Sequence, residues 1–164
     1  MNDYYESIRG LRAIRDYEPT PISEEDMTAI LEVARWTGSS KNLQNWSFIV
    51  VQDDEQRDRL AECGDFTAPV RSAPAVIVIV NEPDGYEFDS GRVAQNIMLA
   101  ADAIGVASCP ITLHRERDAA SVLGLGEAQT GRYAIALGYP TPAAGARNFG
   151  GRKALDELVH WERY

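Results

Sequence analysis

The sequence predicts an α+β fold: a mixed, mostly antiparallel central sheet with helices on both faces, in an α/β/α arrangement. Two strand-like runs, WSFIVVQ and PAVIVIV, alternate with stretches of helical periodicity. The strands and helices do not follow the strict βαβ order of a doubly wound parallel sheet. The 164 residues are 45% hydrophobic and 25% charged, a composition typical of one globular domain spanning residues 1–164.

Three helices are predicted from the spacing of apolar residues. The first covers residues 3–11. The second begins after Ser23, a natural N-cap that is followed by three acidic residues favourable to a helix N-terminus. The third covers residues 89–104, where the apolar residues form a broad face, and Gly105 ends it.

The strands are predicted from runs of β-branched and apolar residues. We expect WSFIVVQ and PAVIVIV to be inner strands, the second one buried on both faces. Shorter strand signals cover residues 107–113 and 132–137. The last ten residues, LDELVHWERY, alternate in a way that predicts an edge strand or a strand exchanged with a partner chain.

Composition argues against several classes of partner and site. A net charge of −9 opposes binding to nucleic acid or to an anionic membrane. Neither Cys63 nor Cys109 has a second cysteine or a histidine at metal-ligand spacing, and His114 and His160 are also isolated. We therefore expect free buried thiols and no metal site. The N-terminal residues lack an apolar leader segment, which favours a soluble cytoplasmic protein.

Two basic segments without acidic residues stand out in this acidic chain: RGLRAIR near its start and AAGARNFGGRK near its end. Arg12 and Arg15 are three residues apart, a spacing that directs both guanidinium groups toward one oxyanion. Arg152 and Lys153 follow two glycines and can approach the same anion from the other side. These cations favour a phosphate monoester as ligand. The alternative is that they are solvated arginines paired with the surplus acids.

A polar loop, GSSKNLQNW, separates the second predicted helix from the first strand. Its Ser39, Ser40, Asn42 and Gln44 offer the donors and acceptors that suit the edge of a heteroaromatic ring. An ordinary turn after a helix cap near Gly38 is the alternative. The sequence shows no Ser-His-Asp order, paired catalytic carboxylates or Gly-Lys-Ser/Thr phosphate motif. Any chemistry must therefore be carried by a cofactor.

Five motifs, in order along the chain, resemble those of the FMN-dependent nitroreductase family: LRAIRDY, ARWTGSSKNLQNWSFIVV, DSGRVAQNIMLAADAIGVAS, IALGYP and GGRKALDELVHW. The resemblance implies a homodimer that binds FMN at the subunit interface, with the C-terminal segment reaching across the partner. It also implies an NAD(P)H-driven oxidoreductase that reduces a nitroaromatic, a quinone or a similar small acceptor by a ping-pong sequence.

The resemblance further implies which residues contact FMN. Arg12, Ala13 and Arg15 would hold the phosphate and ribityl chain, with Arg15 also a candidate to stabilise charge at flavin N1. Arg152 and Lys153 would complete the phosphate contacts. The other contacts would come from the polar loop, contributed by the partner subunit, and from strand backbone near flavin N5: Ser39, Asn42, Gln44, Pro110, Ile111 and Thr112. No protein side chain is implied as catalytic.

The chain departs from the family pattern at several positions. Ala13 stands where serine is common, and Gly38, Asn45 and Ala154 stand in place of prolines. Only NEPDGYEF separates PAVIVIV from the third predicted helix, where many members insert helices over the substrate site. We therefore expect an open substrate pocket. A flavin-binding storage or sensing dimer without turnover is an alternative function, and a phosphate-binding domain without flavin is a third.

Overall fold

The computed structural model describes residues 3–147 and 150–164. Its four strands form one sheet and are β1 (Trp46–Val51), β2 (Ala75–Asn81), β3 (Ala107–Thr112) and β4 (Thr130–Gly138). Their order across the sheet is β1-β2-β4-β3, and each neighbouring pair is antiparallel. The predicted α+β class and the antiparallel character of the sheet are confirmed.

The described residues form six α-helices: α1 (Asp3–Gly10), α2 (Glu24–Arg35), α3 (Asp54–Ala61), α4 (Ala68–Ser72), α5 (Glu87–Ala103) and α6 (Glu116–Leu123). The three predicted helices correspond to α1, α2 and α5. Ser23 caps α2 as expected, because its hydroxyl accepts a 3.0 Å hydrogen bond from the Asp26 backbone N–H. None of the helices in the described ranges is long and apolar enough to cross a bilayer.

Helices cover both faces of the sheet. Along β2, Val76 and Val78 face the core formed with α3, α4 and α6, whereas Ile77 and Ile79 face the core formed with α2 and α5. Successive residues of a strand point to opposite faces, so the continuous apolar run of β2 fills both cores at once. The prediction that this strand is buried on both faces is confirmed.

Two of the predicted strand positions are wrong. The first strand, β1, lies at an edge of the sheet, where β2 is its only neighbour among the described residues. Its apolar side chains pack on both faces, and this burial does not require a second backbone neighbour. Within this chain, the described C-terminal residues contain a 3₁₀ turn at Leu155–Glu157 and no strand, so the edge-strand prediction is wrong, whereas a strand exchanged with a partner chain stays a prediction. An alternating pattern forms a strand only where another strand offers hydrogen bonds.

The two ends of the chain meet beside β3. The Ile14 backbone N–H donates to the Ser108 carbonyl oxygen at 2.9 Å, and Tyr17 and Pro140 form an isolated antiparallel bridge. The buried Tyr17 hydroxyl donates to the Ile14 carbonyl oxygen at 2.7 Å. These contacts place the first basic segment next to the stretch of chain that leads into the second.

Candidate functional site

A cavity of about 480 Å³ lies between the two basic segments, and we call it the arginine cavity. The described residues that line it include no acid; they are Arg12, Ala13, Arg15, Ala146, Arg147, Gly150, Gly151 and Arg152. Four permanently charged guanidinium groups therefore surround one cavity. This set of planar donors matches the geometry and charge of a phosphate group.

The guanidinium groups retain donors for a ligand. Nη1 of Arg12 donates to the carbonyl oxygens of Arg9 and Leu11. Nη1 of Arg15 donates to the carbonyl oxygen of Ala13 at 3.3 Å. A guanidinium carries five N–H donors, so most remain available. None of the four lining arginines forms an ion pair with a carboxylate in residues 3–147 and 150–164. The alternative that they are paired with the surplus acids does not hold.

The structure brings together Arg12, Ala13, Arg15 and Arg152, which the sequence selected from opposite ends of the chain. Lys153 follows Arg152 but does not line the arginine cavity. Sequence reasoning placed Arg147 only within the second basic segment and did not select it as a contact. The sequence feature that could have identified Arg147 is its position in a stretch without acidic residues.

The backbone of β3 offers hydrogen-bonding groups at its outer edge. The Leu113 N–H donates to the Arg132 carbonyl on β4, at 2.8 Å. Because backbone groups alternate along an antiparallel strand, those of Ile111 face β4, whereas those of Thr112 face the open edge. Pro110 also faces this edge, where its missing N–H costs no ladder hydrogen bond. The open edge begins at Ser108, about 13 Å from Thr112 at roughly 3.3 Å per residue.

A second cavity of about 540 Å³ lies beside these strand residues. Pro110, Ile111 and Thr112 line it, together with residues of β4 and with Glu87 and Phe88 of α5. The Phe88 side chain is 77% exposed. Residues 82–86 connect β2 to α5, and no helix roofs the cavity from this connection. Within this single chain the cavity is open on that side, and an open substrate pocket in the assembled protein stays a prediction.

The polar loop lies between α2 and β1, and Ser39, Asn42 and Gln44 line neither of these cavities. Lys41, Asn42 and Gln44 have φ angles of 51°, 55° and 53°, a left-handed conformation that non-glycine residues rarely adopt. The Gln44 backbone N–H donates to the Ser39 hydroxyl at 2.9 Å. Backbone strain of this kind clusters at ligand-binding sites, which favours a binding role over an ordinary turn.

The buried thiols and phenol near the site remain protonated. Burial raises the pKa of Cys109 despite the opposing charges of Arg15 and Arg147, and burial also raises the pKa of Cys63. Both cysteines are free and buried, as predicted. Burial likewise raises the pKa of Tyr17, which keeps its hydroxyl as a donor to Ile14. Among the described residues, no group of His, Cys, Asp and Glu side chains could hold a metal ion.

The model of the Nitroreductase family matches residues 8–63 and 67–139. The chain belongs to the nitroreductase family. A putative NADH dehydrogenase/NAD(P)H nitroreductase of Archaeoglobus fulgidus is 31% identical over 151 residues, which cover 85% of this chain and 87% of that protein. An NADPH-flavin oxidoreductase of Vibrio harveyi is 31% identical over 160 residues, covering 85% of this chain and 67% of that protein.

Solved nitroreductase structures share the fold. A putative NADH dehydrogenase/NAD(P)H nitroreductase from Parabacteroides distasonis superposes over the full length of both chains with a TM-score of 0.89 at 21% identity. The NADPH:FMN oxidoreductase from Vibrio harveyi in complex with NAD⁺ gives a TM-score of 0.89 at 27% identity, covering 99% of this chain and 78% of that one. The predicted nitroreductase resemblance and fold are confirmed.

Proposed function

We propose that this nitroreductase-family protein is an NAD(P)H-driven oxidoreductase that uses FMN to reduce a nitroaromatic, a quinone or a similar small acceptor. The names of relatives support this activity. They include the Vibrio harveyi NADPH-flavin oxidoreductase and an FMN reductase [NAD(P)H] of Bacillus subtilis that is 26% identical over 141 residues. The observation that carries the proposal is the arginine cavity, whose described lining residues include four guanidinium groups and no acid.

The residues present fit FMN. A phosphate monoester is a dianion near neutral pH, and Arg12, Arg147 and Arg152 offer it planar donors, with Lys153 next in the chain. Arg15 is the cation proposed to stabilise negative charge at flavin N1. The Ile14 to Ser108 hydrogen bond joins this cavity to the open edge of β3. FMN, when bound, supplies the two-electron chemistry between NAD(P)H and the acceptor.

The protein's own groups bind and orient the cofactor. The arginine cavity would hold the phosphate at one end of the open edge, and the Thr112 backbone N–H is the donor proposed for flavin N5 at the other. The backbone of Ile111 is engaged with β4, so its contribution is the apolar surface of its side chain in the second cavity. The strand contacts to FMN are therefore proposed for the edge groups of Pro110 and Thr112 and for the Ile111 side chain.

A homodimer with FMN between the subunits is also proposed. Ser39, Asn42 and Gln44 do not line the arginine cavity of their own chain, so the partner's polar loop is the one proposed to contact FMN. The C-terminal segment supports the same assembly, because its large apolar side chains are exposed: Leu155, Leu158, Val159, Trp161 and Tyr164. A partner subunit would cover them. The mass of the FMN-loaded protein in solution tests this, and a monomer mass would contradict it.

We propose that the protein is cytoplasmic, because NAD(P)H is available there as reductant and a net charge of −9 suits a soluble protein.

Anaerobic titration tests the proposed activity. The purified protein is loaded with FMN, and its absorbance is followed as NADH or NADPH is added. Loss of the oxidised flavin band with either reductant is expected. A band that persists with both would refute the reductase and favour a storage or sensing protein, and failure to bind FMN would refute the cofactor.

A further inference from the structure

A cluster of charged and polar side chains lies where the chain leaves β3, close to Thr112, and we call it the His114 cluster. It consists of His114 and Arg115, which follow β3, and Asp65, in the loop between α3 and α4. None of these three residues is among those proposed to contact FMN. Sequence reasoning treated His114 as an isolated histidine, because its partner lies 49 residues away in the sequence.

Arg115 fastens the α3–α4 loop to the end of β3. Its guanidinium donates to the carbonyl oxygens of Glu62 and Gly64, at 2.7 and 2.6 Å, and to the Asp65 carboxylate, at 2.6 Å. Its backbone N–H donates to the Cys63 carbonyl oxygen at 2.8 Å. The hydrogen bond from Arg115 also lowers the pKa of Asp65, which keeps this carboxylate ionised. The loop and its charge are therefore held in one place.

The imidazole of His114 has a partner in either protonation state. Its Nδ1 accepts a 3.2 Å hydrogen bond from the Asp65 backbone N–H, so the neutral ring carries its proton on Nε2. The Asp65 carboxylate lies 3.8 Å from the same nitrogen and can pair with the protonated ring. The other charged groups near this cluster are Asp118, Glu62 and Arg59, and burial raises the pKa of Cys63, which keeps it a thiol at neutral pH. The His114 side chain is 40% exposed, so water can reprotonate it.

Gly64 places this imidazole next to the strand edge. A Cβ atom at Gly64 would lie 2.8 Å from the Thr112 carbonyl oxygen and 3.7 Å from His114 Nδ1. The Thr112 carbonyl oxygen and the His114 Nδ1 therefore both lie close to Gly64. Phe66 packs edge-on against the imidazole, with the ring centroids 6.3 Å apart. A titratable ring is therefore held beside the residue whose N–H is proposed to contact flavin N5.

We propose that His114 is a catalytic residue that protonates a quinone acceptor as it is reduced. The inference rests on the proposed function, which places Thr112 at the flavin. The quinone gains a hydride that originates from NAD(P)H, and its resulting oxyanion takes a proton from the His114 imidazolium. The neutral imidazole then takes a proton from water. Each turnover converts NAD(P)H, one proton and a quinone into NAD(P)⁺ and a hydroquinone.

The pH dependence of quinone reduction tests this role. The FMN-loaded protein is reduced with NADH, and the rate of its reoxidation by 1,4-benzoquinone is measured between pH 5 and pH 9. Imidazole is the side chain that changes protonation in this range, so the native rate should fall as pH rises. His114→Gln should be roughly 100-fold slower at pH 6 and nearly independent of pH. His160→Gln, which removes the other histidine, should retain the native pH dependence.

A spectroscopic measurement gives a readout that does not depend on turnover. In the His160→Gln protein one histidine remains, and its ring Cε1–H signal in an NMR spectrum reports on His114 alone. We expect this signal to shift when FMN is added. A signal that FMN leaves unchanged would place the ring away from the cofactor and overturn the inference, even if His114→Gln failed to fold.

The outcomes also separate this inference from the function on which it rests. Protein that binds no FMN, or whose flavin NADH and NADPH both fail to reduce, overturns the proposed function and the role of His114 together. Protein with normal flavin content and normal reduction, in which His114→Gln retains the native pH dependence, overturns only the role of His114.

Discussion

The Ile14 backbone N–H and the Ser108 carbonyl oxygen form a 2.9 Å hydrogen bond that joins the first basic segment to β3. The bond fixes the position of Arg12 and Arg15 relative to the open strand edge. It therefore makes one continuous surface from two features that differ in chemistry: a cationic cavity and a row of backbone donors and acceptors. A ligand with a phosphate at one end and a polar ring at the other suits this surface.

Arg152→Ala should weaken FMN binding. The change removes a charge-assisted contact from the arginine cavity, which contributes roughly 1.5 to 3 kcal/mol, or about 10- to 150-fold in Kd. Titration of FMN fluorescence measures the effect. Arg117→Ala is the matched control, because Arg117 is exposed on α6 and does not line the cavity. Equal affinities of the two variants would contradict the phosphate assignment.

Thr112→Pro should weaken FMN binding without unfolding the protein. Thr112 faces the open edge, so proline removes an N–H that β4 does not use, as Pro110 already does two residues earlier. The expected loss in affinity is about 1 kcal/mol, the net value of one hydrogen bond. Ile111→Pro should instead break the β3–β4 ladder and lower the melting temperature sharply. If Thr112→Pro binds FMN as tightly as the native protein does, the Thr112 N–H does not contact FMN.

Tyr17→Phe should destabilise the protein at neutral pH by about 1 kcal/mol, because the hydrogen bond to the Ile14 carbonyl is lost. Burial raises the pKa of Tyr17 above its ordinary value near 10. The native protein therefore loses this stability as pH rises above 10, since the unfolded tyrosine ionises first. Urea unfolding between pH 7 and pH 11 should show a steeper alkaline loss for the native protein than for Tyr17→Phe. Exposed Tyr86→Phe should behave like the native protein.

Gly64→Ala should destabilise the His114 cluster. Its Cβ would lie 2.8 Å from a backbone oxygen of Thr112, which cannot move without shifting the strand. Such overpacking typically costs about 1 to 3 kcal/mol. Gly126→Ala is the control, since its Cβ would meet only the Gln129 side chain, at 3.5 Å. The melting temperatures of both variants are measured by calorimetry, and Gly64→Ala should melt at the lower temperature. Equal melting temperatures would contradict the close approach at Gly64.

Glu32→Gln should lower the melting temperature at neutral pH and lose this effect in acid. Hydrogen bonds from Arg35 and Trp36 lower the pKa of Glu32 from 4.5 to about 2. The native stabilisation is thus complete above pH 4.5 and disappears as pH falls toward 2. The difference in melting temperature between the two proteins should shrink over that range. Glu127→Gln, at an exposed loop position, should show no such change with pH.

The parts of the fold that could be predicted are those in which the local sequence pattern depends directly on burial or on helix capping. The α2 cap at Ser23 and the doubly buried run of β2 follow from local chemistry and were predicted correctly. The edge position of β1 was not predictable, because apolar residues on both faces of a strand do not reveal how many strands pair with it. The C-terminal edge strand was wrong for a related reason: an alternating pattern describes the segment itself and does not reveal which strand lies beside it.

The sequence predicted which residues belong to the candidate site better than it predicted how they are arranged in space. Charge distribution selected Arg12, Arg15 and Arg152 without knowledge of the fold, and the structure places all three on one cavity. Their meeting depends on long-range contacts such as the Tyr17 to Pro140 bridge, which no local pattern encodes. The His114 cluster was missed because its partners come from separate loops.

The C-terminal stretch from Gly150 to Tyr164 is exposed at every residue. A phosphate bound between Arg12 and Arg152 would tether this stretch to the body of the protein, and a tethered segment is a poorer protease substrate than a free one. FMN binding would therefore also protect the C-terminal stretch from cleavage.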